Sequence, residues 1–482
     1  MMTKRRLHPI AMATGVGREL KNVLFPLVVV VVAGSRGDFS WRDLVIPTFV
    51  LAYTIIAGVL SWIRFTYSWD GQTLQVEEGV FVRKKRTIPF ERIQGISTTE
   101  GIWQRLAGVV KVHIETAGSL PGEAEVMLAA VSREEVRRLQ RDIEQAKEQA
   151  GPSPLQNGHE NQPLPSPLFT LSIKEVWLAA VTSGGVFGVM AAVWAFLSQL
   201  GDLIPYEALF RNVQATWNGH GRWYIGAAGL VALLAAYGVA IAQNMIRFAS
   251  FTVRRQEDAI VITRGWLERK TVSVPLNRVQ GVIIHESWMR RLFGYATVSL
   301  IHAGGALDGG PPGDVVLCPL VHKERVSSIV HSCLPGYDLD VSFHPLPERA
   351  KMRYMLRPLY WLTVPLALAA YIERPWGLGL LLVLPLAAWI GARRYRAAGW
   401  ELSSKQLSLR SGWFRRTTTY MLKHRLQSVE VSATWWQKRK RLATISAAVM
   451  PLGTRARVVD VDGQDAAAVY RWLQAERKDE TS

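Results

Sequence analysis

Arginine followed two residues later by glutamine recurs three times in this chain, as Arg92 and Gln94, Arg278 and Gln280, and Arg425 and Gln427. Residues two apart on a strand share a face, so each pair would present a guanidinium fork beside an amide, suited to an anionic head group or a peptide carboxylate. The competing reading is structural: glutamine satisfies backbone groups where the strand bends, and arginine pairs with a carboxylate such as Glu91 or Glu100. Basic clusters offer a second chemistry: Arg83, Lys84, Lys85 and Arg86; Arg254 with Arg255; Arg269 with Lys270; Arg415 with Arg416; and Lys438 to Arg441. Each Lys or Arg held close to anionic lipid contributes about 1 kcal/mol; otherwise these residues make a solvated face. Trp103, Trp266, Trp288, Trp413, Trp435 and Trp436 stand beside them, where a tryptophan can anchor a domain edge among head groups. Trp266 and Trp413 are equally suited to packing on a barrel.

Composition narrows the partners. The chain has 482 residues, is 49% hydrophobic and carries a net charge of +18, which suits a nucleic-acid binder or a protein pressed against an anionic membrane. No helix-turn-helix or aromatic RNA-binding signature is present, so no nucleic-acid partner is expected. Cys318 and Cys333 lack C-x-x-C spacing and histidines at ligand intervals, and read as buried or unreactive thiols. The glycine-rich stretch 302–314, "HAGGALDGGPPGD", has no Gly-Lys-Ser/Thr and reads as a strand connection, not a phosphate loop. His113, His285, His302 and His344 are scattered, and no nucleophile, base or metal constellation appears. The expectation is no enzyme and no cofactor.

The elements that must position these residues come from a repeat. "IPFERIQGI" at 88–96 recurs as "VPLNRVQGV" at 274–282 and as "MLKHRLQSV" at 421–429. Gly79, Gly265 and Gly412 stand the same distance ahead of each phrase. Alternating apolar residues, the glycine, a basic pair and β-branched residues describe a hairpin of strands. A Trp-containing turn and another strand follow. In the third copy this stretch, "TWWQKRKRLATISAAV", reads as a few residues longer and lacks the glycine before the strand. Each copy closes with a helical pattern: "SREEVRRLQRDIEQAK", "HKERVSSIVHSCL" and "GQDAAAVYRWLQAER".

Between the copies lie uncharged stretches. Residues 44–63, 176–199 and 223–246 have about the length that crosses a bilayer, and shorter apolar runs lie at 22–34, 359–372 and 376–392. Paired by proximity they predict three transmembrane hairpins, with the first and fifth segments, which carry Pro26 and Pro365, also readable as re-entrant. A Gly184-x-x-x-Gly188 spacing suggests close helix packing. No acidic or basic residue falls at a predicted midplane, which argues against a transporter. Lysine and arginine are sparse in the connectors inside the hairpins and dense elsewhere, so both termini and the β domains are expected in the cytoplasm.

The glycine turn, the basic residues, the P-x-x-R-[IV]-Q-[GS]-[IV] phrase and the "VHIETAGS" strand together resemble the bacterial pleckstrin-homology-like domain of the YdbS/YdbT membrane protein family, YdbT type. The third copy departs from the pattern at Leu422 and Ser428. The resemblance covers essentially the whole chain. It implies a split β-barrel capped by a C-terminal helix in each soluble segment, a role in envelope-associated binding or stress protection, and a smaller single-domain relative as partner.

The expected organisation is therefore 1–64 N-terminal segment and hairpin; 65–147 PH-like domain; 148–168 flexible linker; 169–246 hairpin; 247–334 PH-like domain; 335–393 juxtamembrane segment and hairpin; 394–477 PH-like domain. The expected function is a multipass, non-catalytic scaffold binding anionic inner-leaflet lipids, a membrane or cytoplasmic protein, or both. The alternative is a channel or transport component built on the six helices.

Overall fold

The computed structural model describes residues 4–13, 15–17, 41–80, 82–116, 126–149, 166–182, 221–256, 258–302, 314–372, 383–450 and 455–479. Alternation of apolar and polar residues makes strands. In β3 (Thr73–Glu78), Leu74 and Val76 point into the core; in β10 (Ala259–Arg264), Ile260 and Ile262 do the same. The first unit contains β1 (Arg5–Arg6), β2 (Thr66–Trp69), β3 and β4 (Lys84–Pro89) in one sheet, then β5 (Ile93–Glu100), β6 (Val109–Thr116) and β7 (Val126–Ser132). The second contains β8 (Phe169–Thr170), β9 (Thr252–Gln256), β10 and β11 (Arg269–Pro275), then β12 (Val279–Ser287), β13 (Tyr295–His302) and β14 (Asp314–His322). The third repeats this with β15 (His344–Pro345), β16 (Gly399–Leu402), β17 (Gln406–Ser411) and β18 (Arg415–Leu422), then β19 (Ser428–Ser432), β20 (Leu442–Ala448) and β21 (Arg455–Asp462).

The sheets do not respect the repeat. Strands β7-β6-β5 continue into β11-β10-β9-β8, and β14-β13-β12 continue into β18-β17-β16-β15, giving two seven-stranded antiparallel sheets. The second half of each of the first two units is thus hydrogen-bonded to the first half of the next. Glu100 lies opposite Arg269 in one junction and Glu286 opposite Arg416 in the other, the same repeat positions in the same register. The cores interlock accordingly at the second junction. Tyr420 enters the core of the second unit, while Ile283 and Ile301 enter that of the third. At the first junction the matching positions are polar and buried, Ser97 and Glu115.

Each unit closes with the helix that its apolar period predicts: α3 (Arg133–Gln149), α7 (Lys323–Cys333) and α11 (Gly463–Asp479). Short helices α2 (Ile102–Leu106), α6 (Trp288–Leu292) and α10 (Trp435–Arg439) precede the strands β6, β13 and β20. The third is no longer than the others, contrary to the sequence reading. Gly108 and Gly294 end the first two at positive φ, and Arg441 adopts the same conformation with φ 52°, so the missing glycine is replaced by a strained arginine.

The remaining helices are α1 (Trp41–Arg64), α4 (Ile173–Val181), α5 (Gly221–Phe248), α8 (Glu348–Ile372) and α9 (Val383–Ala397). Here the expectation of three transmembrane hairpins is overturned: among the described residues no helix is long and apolar enough to cross a membrane. Helices α4 and α9 are short, and the first ten residues of α8 hold Glu348, Arg349, Lys351, Arg353 and Arg357. Among the described residues the six crossing helices that the channel alternative needs are not seen. The helices do pack in pairs. Tyr237 of α5 donates its hydroxyl to Val181 O of α4 at 3.3 Å, and Gly391 of α9 lies so close to Tyr354 O and Met355 Cα of α8 that no Cβ would fit. The apolar run at 22–34, most of 176–199 with Gly184 and Gly188, residues 373–382, most of the linker, and 303–313 of the glycine-rich stretch lie outside the described residues.

Candidate functional site: aromatic and basic lips at the domain junctions

The hairpin tips explain the three invariantly spaced glycines. Gly79, Gly265 and Gly412 have φ of 110°, 97° and 87°, a region that side chains rarely adopt, and a Cβ would collide with the carbonyls of Val82, Glu268 and Arg415. Each tip is positioned by what lies beside it. Arg64, at the end of α1, donates to Val80 O at 2.8 Å. At the second tip, Gly265 N–H and Trp266 N–H donate to Ala249 O (2.8 Å) and Ile246 O (3.1 Å) at the C-terminal end of α5.

The short helix of the preceding unit then clamps the tip of the next. Arg105 of α2 donates to Trp266 O at 3.3 Å, and Arg291 of α6 donates to Trp413 O at 3.4 Å. Trp288 N–H adds a bond to Phe414 O at 2.8 Å. Both junctions therefore carry an apolar lip rimmed by arginine. In the first, Ile102, Trp103, Leu106 and Trp266 lie in solvent, with Trp103 70% and Trp266 64% exposed. In the second, Leu292 is 73% and Phe414 55% exposed. Trp413 turns inward and meets Trp389 of α9 edge to face at 5.1 Å, while Arg393 stacks over Trp389 at 4.9 Å. These groups frame an open apolar cavity of about 450 Å³ lined by Trp288, Arg291, Leu292, Leu386, Trp389, Ile390, Trp413 and Phe414. In the third unit Trp435 and Trp436 are exposed, with Arg439 over Trp435 at 4.5 Å. Trp266 is thus exposed, whereas Trp413 packs against helix α9.

Beneath the second lip sits a charged node. Glu286, 6% exposed, receives Arg416 across the junction and Lys323 of its own unit at 2.7 Å. Burial works against its ionisation, but the bonds from Arg416 and Lys323 outweigh this and hold the carboxyl below its ordinary value. Glu100 at the first junction pairs with Arg133, the counterpart of Lys323, at 2.8 Å. His285 beside the node bonds Thr417 Oγ1 across the junction at 3.2 Å; burial, then Arg415 and Arg290, push its pKa down to about 4. Arg290 is pushed down to about 10, chiefly by burial. It links α4 to the barrel through Ala179 O at 3.2 Å and Thr182 Oγ1 at 3.0 Å.

The residues singled out from sequence divide between surface and junction. Arg83, Lys84, Lys85 and Arg86 are exposed on and before β4, with Lys85 3.9 Å from Glu77 and Arg86 3.3 Å from Glu78. Arg269 and Lys270, like Arg415 and Arg416, open the strands that join the preceding unit. Lys438 and Arg439 are exposed on α10. The Arg and Gln pairs do not share a strand face. Arg92, Arg278 and Arg425 end 3-10 turns, and a register shift falls at Gln94 and at Gln280. Gln280 Nε2 donates to Arg278 O at 3.5 Å, and Arg425 reaches Asn277 O at 2.8 Å. Gln427 is exposed, and the side chain of Gln94 lies outside the described residues. Sequence reasoning missed the junction roles of Arg105, Arg291, Glu100 and Glu286, although the arginines recur at one offset from the phrase and the glutamates at another, and it missed Arg133 and Lys323, which each open a closing helix. Among the described residues no three His, Cys, Asp or Glu could hold a metal ion. Cys318 and Cys333 are free and buried, with burial pushing both thiol pKa values up.

Three segments, 20–147, 177–335 and 361–477, match the sequence profile of one family, described as Bacterial PH domain. The chain belongs to this family. The first and third PH matches end within closing helices α3 and α11, and the second ends two residues beyond α7. A curated relative, "UPF0699 transmembrane protein YdbT" of Bacillus subtilis (strain 168), is 32% identical over 497 aligned residues, covering 99% of this chain and all of the relative. No solved structure matches.

Proposed function

We propose that this chain is a non-catalytic scaffold that holds three PH domains against the cytoplasmic face of a membrane and contacts anionic lipid through the junction lips. The observation that carries the reading is the exposure of apolar and aromatic side chains beside clamped arginines at the lips of two junctions, with Leu106 and Leu292 exposed at matching positions. Such groups gain from the head-group layer: the ring buries its apolar body there while arginine meets phosphate. Exposed apolar side chains on α1 and α5, such as Phe49 and Val231, support an apolar surrounding, as does the word transmembrane in the name of the relative. Several weak contacts on one chain add avidity.

The test places an environment-sensitive dye on the full chain at Leu106→Cys and at Leu292→Cys, with Glu134→Cys as control. The two native thiols are buried, so labelling is selective. Vesicles containing phosphatidylglycerol should shift the emission of both lip labels to the blue, less at high salt, and leave the control unchanged. Equal spectra with anionic and zwitterionic vesicles would remove the lipid reading.

A further inference from the structure

Among the strands that edge a sheet in the described residues, two differ from their counterparts elsewhere in the chain: β4, beside β3, and β19, beside β20. Their counterparts in the other units are not free. β11 and β18, which match β4, pair with β5 and β12, which match β19, and both junctions use one register. Among the described residues the first unit thus holds an unpaired copy of one partner strand and the third an unpaired copy of the other.

Carrying the internal register to these free edges brings Glu430 opposite Arg86. In the internal junctions that position holds neutral pairs, Val272 with Ser97 and Thr419 with Ile283. The internal ion pair disappears from the free end in a coordinated way. Where Glu100 and Glu286 stand, the third unit has Ala433, and where Arg133 and Lys323 begin the closing helix it has Gly463. The charge pair has moved by three positions and occurs only at the two ends. The two side chains would stand on one face of the extended sheet: Arg86 lies opposite Val76, a core residue, and Glu430 occupies the position of Ile283, which points into the core of the following unit. Glu430 is exposed, and Arg86, also exposed, lies 3.3 Å from the rim carboxylate of Glu78.

We propose that copies of this chain join head to tail, β19 of one adding antiparallel to β4 of the next, with Glu430 facing Arg86. This continues an interface the chain already uses twice, and the displaced charge pair gives it partner choice: Glu430 would face Val272 or Thr419 in either internal seam, where nothing answers it. Such a contact is heterologous and yields a ring or a fibre according to whether the rotation closes. It is independent of the lipid reading.

The mass of the purified full chain in detergent is followed by sedimentation over a wide concentration range. Wild type should associate as concentration rises. Arg86→Glu and Glu430→Arg should each weaken association about tenfold or more, as close charge pairs at interfaces do. An equal mixture of the two variants should restore it, because each then meets an opposite charge; restoration also shows that both fold. A monomer at every concentration, an association that both variants keep, or a mixture no better than its parts would each overturn the proposal.

Discussion

Replacing Glu286 by glutamine keeps the shape of the second junction and removes its charge. Arg416 and Lys323 then face each other with no carboxylate between them. Losing one partner of a fully buried ion pair costs roughly 3–5 kcal/mol. The carboxylate is buried, but the Lys323 side chain is 37% exposed, so water recovers part of the loss, and about 2–3 kcal/mol is expected. Because the node bridges β12 and β18, the loss should fall on opening of that seam. Amide hydrogen exchange in 415–421 should accelerate roughly 30- to 150-fold, with exchange in β3 unchanged. The same substitution at Glu100 should cost about 1 kcal/mol or less, because Arg133 is 45% exposed. Equal acceleration at both junctions, or none at 415–421, would refute the assignment of the node as a seam fastener.

Further perturbations test other parts of the structure. His285 has a pKa lowered to about 4 against 6.5 in the unfolded chain; its contribution is complete above pH 6.5 and declines as pH falls toward 4. Wild type should lose about 2–3 kcal/mol between pH 7 and pH 4.5, read from urea midpoints, and His285→Gln should flatten that decline. Arg441→Gly relieves the left-handed backbone of the third unit and should raise stability by up to about 1 kcal/mol, whereas Gly265→Ala, at the matching kind of constraint with no space, should lower it. Asp460, fully buried and bonded by Arg353 at 3.1 Å and Gln437 at 2.7 Å, should cost about 2–4 kcal/mol as Asp460→Asn, visible as faster exchange in α8.

Local chemistry was legible in the sequence. A glycine before a basic strand announced each tip, because only glycine tolerates the required φ, and the closing helices followed their apolar period. Partner choice was not legible. Periodicity says which face of a strand is apolar, not which strand lies beside it, so β5 and β12 read as interior strands of their own barrels. One clue was present in "VII" at 282–284: consecutive apolar residues mark a strand buried on both faces, and Ile283 indeed points into the next unit. At β5 the same clue is absent, since Ser97 and Thr98 are polar. The lead strands β1, β8 and β15 are two residues long and carry no period. The apolar stretches near the helices misled the reading, because charge-free length was taken as crossing length while α8 spends its first turns bonded to the third barrel through Arg353 and Arg357.

The two seams differ in how they would yield to force. The second is laced by seven register pairs from Gly281 to Ser287 and by isoleucines driven into the neighbouring core, while the first has four pairs and a polar lining. Pulled sideways, the assembly should part between the opening unit and the rest, leaving the two later units as one stiff piece and the leading one free to swing.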